Sequence, residues 1–149
     1  MRVAAAPSDD GEGAAQLARG TGRLLADMGF RALPEVGLGN GRRADLLGLD
    51  GRGRIVIVEI KRSAADFRAD RKWPEYVGHC DFFYFAVPAA FPSEILPDEA
   101  GLIVADRFGG AVLRPAPERP VHPSRRRSLT LRFALAAAER FRRLTDPEA

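Results

Sequence analysis

The sequence predicts an α/β fold of three layers, with helices on both sides of a central mixed sheet, and three features carry that expectation. Two apolar segments, residues 43–49 and 55–61, flank a Gly-rich turn and read as an antiparallel hairpin. The second of them, a short helical stretch and the apolar run DFFYFAV follow one another as strand, helix and strand, which implies a right-handed crossover to a parallel neighbour. Helical periodicity near both ends of the chain supplies the outer layers.

Taken in order, residues 12–30 read as the first helix. Ala14, Leu17, Thr21, Leu24 and Met28 recur at spacings of three and four, and Ala18 and Leu25 widen the stripe. Gly20 and Gly22 weaken this helix but permit close packing on a sheet, and Gly29 suits its end. In residues 31–38, Ala32, Pro34, Val36 and Leu38 alternate with charged Glu35, as in an edge strand that tolerates proline. The run GLGNG at 37–41 is followed by a strand and not a helix, so it is a turn and not a phosphate-binding loop.

Beyond Lys61, Ser63 with Asp66 three residues on begins a helix in the manner of a capping box, over residues 64–73, and Pro74 bends or restarts it at Trp73. Asp66, Asp70 and Trp73 then share one side, with the two acids expected to partner Arg62, Arg68 or Lys72 and orient the groups nearby. Trp73 and Tyr76 either close the core or stack on a base, the core being favoured. Residues 81–87 are a buried strand and residues 88–100 a loop with one helical turn at 93–96. A hairpin over 101–106 and 111–113 leads to an extended linker marked by Pro115, Pro117, Pro120 and Pro123. The last helix runs from 124 or 128 to 144, with Leu129, Phe133, Ala137, Phe141 and Leu144 as its apolar stripe.

The hairpin holds three charges where a buried sheet should carry none. Asp45 interrupts the first strand, and Glu59 and Lys61 interrupt the second. An uncompensated charge inside a sheet costs on the order of several kcal/mol, which persists where a metal or substrate offsets it. Side chains alternate along a strand, so Ile55, Ile57, Glu59 and Lys61 share one face and Val56, Val58 and Ile60 the other. A three-residue loop at 51–53 pairs 50 with 54 and sets Asp45 opposite Glu59 on that face; a two-residue turn would separate them.

Two carboxylates about 5 Å apart across strands repel unless a cation lies between them. Mg²⁺, or Mn²⁺ in its place, suits two carboxylates, a backbone carbonyl and several waters, with Ile60 supplying the carbonyl. Lys61 stands beside that point as a compact positive charge. Of the 23 basic residues only Lys61 and Lys72 are lysine, so lysine is retained where a point charge and not a planar fork is called for. An ordinary salt-bridge cluster at a sheet end is the competing reading.

Asp45 followed by Glu59-Ile60-Lys61 resembles the D-x(n)-E-x-K signature of the PD-(D/E)xK nuclease superfamily, with Ala44 where a proline is usual. The longer stretches GRRADLLGL and IVIVEIKRSAADFRADRKWPEYVGHCDFFYFAVP resemble the MmcB-type family of small bacterial DNA repair proteins, over roughly residues 14–115. The resemblance implies a restriction-endonuclease-like fold, a role in DNA repair, and Asp45, Glu59 and Lys61 as catalytic residues. It also makes Glu35 the candidate for a further carboxylate; the alternative is a solvent-facing side chain on an edge strand.

At 149 residues and 16.2 kDa the chain suits one domain. Residues 1–11 are small and polar and are expected to be flexible, and residues 115–149 form the Pro-rich linker and a basic helix. No run approaches a membrane span, and the single Cys80 suits a reducing cytoplasm and packing in the core. Residues 1–105 hold 13 basic and 15 acidic groups, whereas 106–149 hold 10 and 5, so the excess positive charge lies in the tail. Arg125, Arg126 and Arg127 in that tail, Arg42 and Arg43 just before the strand of Asp45, and Lys72 in the helix after Lys61 are candidates for DNA phosphate contact, against the alternative of solvated charges. The expected activity is Mg²⁺-dependent hydrolysis of DNA, with a non-catalytic DNA-binding or scaffold protein and an RNA or tRNA nuclease as alternatives. Other repair proteins are possible partners.

Overall fold

The computed structural model describes residues 9–148, with side chains from residue 13 onward. Most of the N-terminal stretch expected to be flexible lies outside the described residues, and the first helix, α1, starts at Asp9 and runs to Asp27. Six strands follow in a single sheet ordered β1-β2-β3-β4-β5-β6: Arg31–Gly37, Arg43–Leu49, Ile55–Ile60, Phe82–Val87, Gly101–Ala105 and Gly110–Arg114. β1 to β3 are antiparallel neighbours, β3, β4 and β5 are parallel, and β6 returns antiparallel, so the sheet is mixed. Pro34 does lie on an edge strand, where its missing N–H costs no ladder bond.

Strand alternation divides the core in two. On one face Leu46, Val56, Val58, Ile60, Tyr84 and Ile103 pack with Leu17 and Leu25 of α1. On the other, Leu47, Ile55, Ile57, Phe83, Phe85 and Leu102 pack under α2 (Ala64–Ala69), α3 (Pro74–Val77) and α4 (Pro123–Thr145), through Phe67, Tyr76 and Leu129. Gly29 ends α1 at φ 95°, with Phe30 N–H donating to Leu25 O at 2.8 Å and Gly29 N–H to Ala26 O at 3.0 Å. Gly20 is the close approach: a Cβ there would lie 1.6 Å from Asp106 O. Gly22 meets nothing, so only the first of these two glycines is needed for packing.

Two helices differ from expectation. The helix after Ser63 stops at Ala69, because Asp70 turns its carboxylate onto Lys72 N–H at 2.7 Å and leaves the helical conformation at ψ 114°. Asp66, Asp70 and Trp73 thus do not share a helix face. At the C-terminus the apolar stripe of α4 outruns the sheet beneath it: Leu129 is buried, but Phe141 and Leu144 are 67% and 82% exposed. Its N-cap is His122, whose ring nitrogen accepts from Ser124 N–H.

Candidate functional site

The odd-length loop is present: Asp50 N–H donates to Arg54 O at 3.1 Å and Gly53 N–H to Asp50 O at 3.0 Å, with Gly53 at φ 78°. Register pairs Leu49 with Ile55 and Leu46 with Val58, and one further step sets Asp45 opposite Glu59. At that step the ladder gives way to side chains. Glu59 Oε2 accepts from Asp45 N–H at 2.9 Å, and Asp45 Oδ2 accepts from Ile60 N–H at 2.8 Å. Each acid takes a backbone donor of the opposite strand, which parts β2 from β3 at this end. The other oxygen of each is left to the cleft that both residues line.

That cleft, of about 1020 Å³, opens at the carboxyl end of β3 and is also lined by Lys61, Arg42, Arg43, Asp70 and Tyr76. Glu59 is 5% exposed and Lys61 7%. Burial, then the charge of Asp45, pushes the Glu59 carboxyl up to about 8 against the help of Asp45 N–H and Lys61. Burial raises Asp45 as well, opposed by the Ile60 N–H. Tyr76 is pushed up to about 12 by burial and by Glu59, and its hydroxyl donates to Arg43 O at 3.3 Å.

Lys61 does not stand alone. Its Nζ lies 2.6 Å from Asp70 Oδ2, both side chains being about nine-tenths buried. Burial works against the Asp70 charge, yet the Lys61 hydrogen bond and Lys72 N–H outweigh it and hold this carboxyl below its usual range. Asp70 therefore serves Lys61 and not the side chains of Arg62, Arg68 or Lys72. Ser63 Oγ caps the helix by accepting from Asp66 N–H at 3.1 Å, whereas Asp66 accepts from the N–H of Arg62 at 3.0 Å, one residue ahead of the cap, so only half of the expected capping box forms. Trp73 stacks on Phe83 at 6.0 Å and meets Phe85 edge-on at 5.5 Å, so it closes the core and anchors the segment that presents Asp70.

The remaining candidates occupy different places. Glu35, opposite Asp45 by register, has φ 52°, which turns it out of the regular alternation; it lies at the cleft rim and pairs with Arg43 at 3.3 Å. Arg140 of α4 secures this distortion by donating to Pro34 O and Glu35 O. Arg42 forms a two-bond fork with Glu75, and Lys72 is exposed at the same rim. Arg126 lies elsewhere, with both terminal nitrogens on Asp81 at 2.7 Å and one on Gly53 O. Arg125 donates to Gly78 O, and Arg127 is exposed. The Lys61–Asp70 pair escaped the sequence reading; its one local signal was an Asp two residues ahead of a backbone N–H, a common helix stop.

Over residues 2–148 the sequence matches the model of the MmcB-like DNA repair proteins. The chain belongs to that family. Among solved structures, this MmcB-like protein is similar to a protein of unknown function from Silicibacter pomeroyi, with 42% identity and a TM-score of 0.90 over 94% of this chain and 96% of that one. No curated protein matches it.

As for a cation, no group of three or more His, Cys, Asp or Glu side chains able to hold one is found among the described residues of this MmcB-like chain. An ion here would draw on two carboxylates, a backbone carbonyl and waters. That oxygen-only donor set fits Mg²⁺ or Mn²⁺ better than zinc, whose sites are built chiefly on His and Cys. No helix of the described residues is long and apolar enough to cross a membrane.

Proposed function

We propose that this MmcB-like protein is a Mg²⁺- or Mn²⁺-dependent endonuclease of the restriction-endonuclease-like class that hydrolyses phosphodiester bonds in DNA during repair. The observation that carries the reading is the crossed pair of carboxylates: Asp45 and Glu59 each spend one oxygen on the other strand's backbone and turn the second toward a cleft beside a buried lysine. Asp45, Glu59 and the carbonyl of Ile60 would hold the cation. When bound, such an ion supplies Lewis-acid polarisation of a phosphate and a more acidic water.

The chain's own groups account for the rest. Glu59, its carboxyl pushed up to about 8 by burial and by Asp45, would have to lose its proton to serve as a ligand. The Lys61 ammonium, oriented by Asp70, stabilises charge developing on the phosphate oxygens. Arg42, Arg43 and Lys72 at the rim hold the strand by its phosphates. Glu35, beside Arg43, acts through that arginine in this reading.

One observation favours a second reading, a protein that binds DNA without cutting it: Lys61 is already neutralised by Asp70 at 2.6 Å. A cleavage panel of duplex, single-stranded, flap and junction DNA with Mg²⁺ or Mn²⁺ decides between them. The nuclease reading expects products from wild type and none from Glu59→Ala. Salt-sensitive binding with no product from either protein establishes the second reading. Calorimetry with Mn²⁺ tests the ligands separately, and equal heats for wild type and Asp45→Asn would remove Asp45 from the site.

A further inference from the structure

The parallel strands β3, β4 and β5 end side by side, and ligands of such sheets gather at their carboxyl ends. The cleft at Glu59 occupies the end of β3. A second cavity of about 930 Å³ lies past the ends of β4 and β5, lined by Pro88 to Ala90, by α1 at Leu17, and by the turn from Asp106 to Gly110. Arg62 lines both spaces. Its stem crosses α1 at Gly13, where a Cβ would come within 2.8 Å of Arg62 Cδ, so a glycine makes room for the arginine between the two.

The far wall carries an exposed aromatic ring on a braced support. Phe108 is 66% exposed, and the Arg107 guanidinium lies 4.7 Å from its ring centroid, covering one side. The turn beneath is held at several points. Asp106 Oδ1 accepts from Phe108 N–H at 2.8 Å and Gly109 N–H at 3.1 Å, Arg23 donates to Phe108 O at 3.3 Å, and Asp106 O rests on Gly20. A large apolar side chain thus faces water on a fixed turn beside Arg107, and Asp106 Oδ1 is engaged by backbone donors of that turn.

We propose that this second cavity receives an unpaired nucleotide of the DNA bound in the first, its base stacked on Phe108 and its adjoining phosphate held by Arg107. The inference rests on the phosphodiester reading of the cleft and adds a substrate class to it. Duplex bases have both faces covered by their neighbours, so only unpaired or terminal bases offer a face to an aromatic ring. The substrate is therefore DNA with a single-stranded arm next to the phosphate in the cleft.

The test is binding, measured by fluorescence anisotropy in chelator so that no DNA is cut, using a duplex with a single-stranded arm, a blunt duplex, and 2-aminopurine placed in the arm. Phe108→Ala should weaken the armed DNA about tenfold and leave the blunt duplex within about twofold, as expected for one lost base stack. The 2-aminopurine quenching seen with wild type should vanish in Phe108→Ala and persist in Phe108→Trp. Unchanged affinity and quenching, or an equal loss on both DNAs, overturns the proposal and leaves the turn as a site for some other partner. Phe108-dependent binding without cleavage of any DNA would retain this arm while removing the nuclease reading; cleavage indifferent to Phe108 would do the reverse.

Discussion

The two ends of β3 carry buried carboxylates of similar depth and opposite character. At its start Asp81, 2% exposed, receives Ile55 N–H at 2.7 Å and the fork of Arg126. Burial is the largest influence on it, yet that fork and the backbone donors prevail and hold it below the usual carboxylate range. At the strand's other end Glu59, 5% exposed, faces Asp45 and is pushed up to about 8. Depth therefore does not set the electrostatic character of a carboxylate here. The partner does: a delocalised cation fixes a carboxylate as an internal brace, whereas a second carboxylate leaves it wanting a cation.

The largest expected difference is in stability. Asp81→Ala leaves the Arg126 guanidinium, the Ile55 N–H and the Val121 N–H without their acceptor, and should cost about 3 kcal/mol in denaturant unfolding, the low end for a broken buried pair because Arg126 is partly solvated. Glu59→Gln removes a repulsion and should keep or raise the stability of metal-free protein at pH 8 while abolishing cleavage. If both substitutions destabilise equally, the contrast between the two strand ends is wrong.

The same contrast has a pH signature. Glu59 has its folded value raised, so between pH 4.5 and about 8 the native state holds a proton that the unfolded chain releases. Its contribution is complete below 4.5 and is lost as pH rises through about 8; Asp81 and Asp70, with lowered values, lose theirs only as pH falls below 3.8. Thermal melts in chelator should therefore show stability declining from pH 5 to 8, and a flatter profile for Glu59→Gln. Mn²⁺ should raise the melting temperature more at pH 8 than at pH 6, since a proton competes with the ion at Glu59. A wild-type profile matching that of Glu59→Gln would show that the carboxyl is ionised throughout.

What the sequence made legible follows from short-range rules. Alternation along β3 and the odd loop at 51–53 are enough to bring Asp45 and Glu59 to one face, and Pro34 marks its strand as an edge. The rest depended on contacts that no period encodes. Asp81 and Arg126 are 45 residues apart, so a basic helix that looked suited to phosphate proves partly an internal brace. Glu35 follows the alternation in sequence but not in space, because its positive φ turns it toward Arg43. The apolar period of α4 identifies its inner face correctly through Leu129, yet says nothing of how far the sheet extends under Phe141 and Leu144.

Within the cleft, the Lys61–Asp70 pair can be set against the Arg126–Asp81 fork by exchanging the cation. Arg126→Lys keeps charge at the brace and should leave cleavage unchanged in protein that folds. Lys61→Arg puts a planar, wider group in a space 7% exposed and should reduce turnover about a hundredfold, the scale for misplacing one charge donor in a transition state. Single-turnover rates at saturating DNA separate this from weaker binding. Turnover within a few fold of wild type would exclude the proposed role for this lysine.

The smallest effect belongs to the rim. Arg42 spends its fork on Glu75 at 2.9 and 3.1 Å, and both residues face solvent, so DNA phosphate competes with a carboxylate that water already screens. Arg42→Ala should thus leave the melting temperature unchanged and weaken all DNAs to a similar degree. The slope of log affinity against log salt should become shallower by about one unit, as expected for the loss of one phosphate contact. Glu75→Gln should act in the opposite sense by releasing Arg42 for phosphate. If both substitutions leave affinity and salt slope as they were, the path of the DNA does not cross this side of the cleft, and Arg43 and Lys72 are left to hold it.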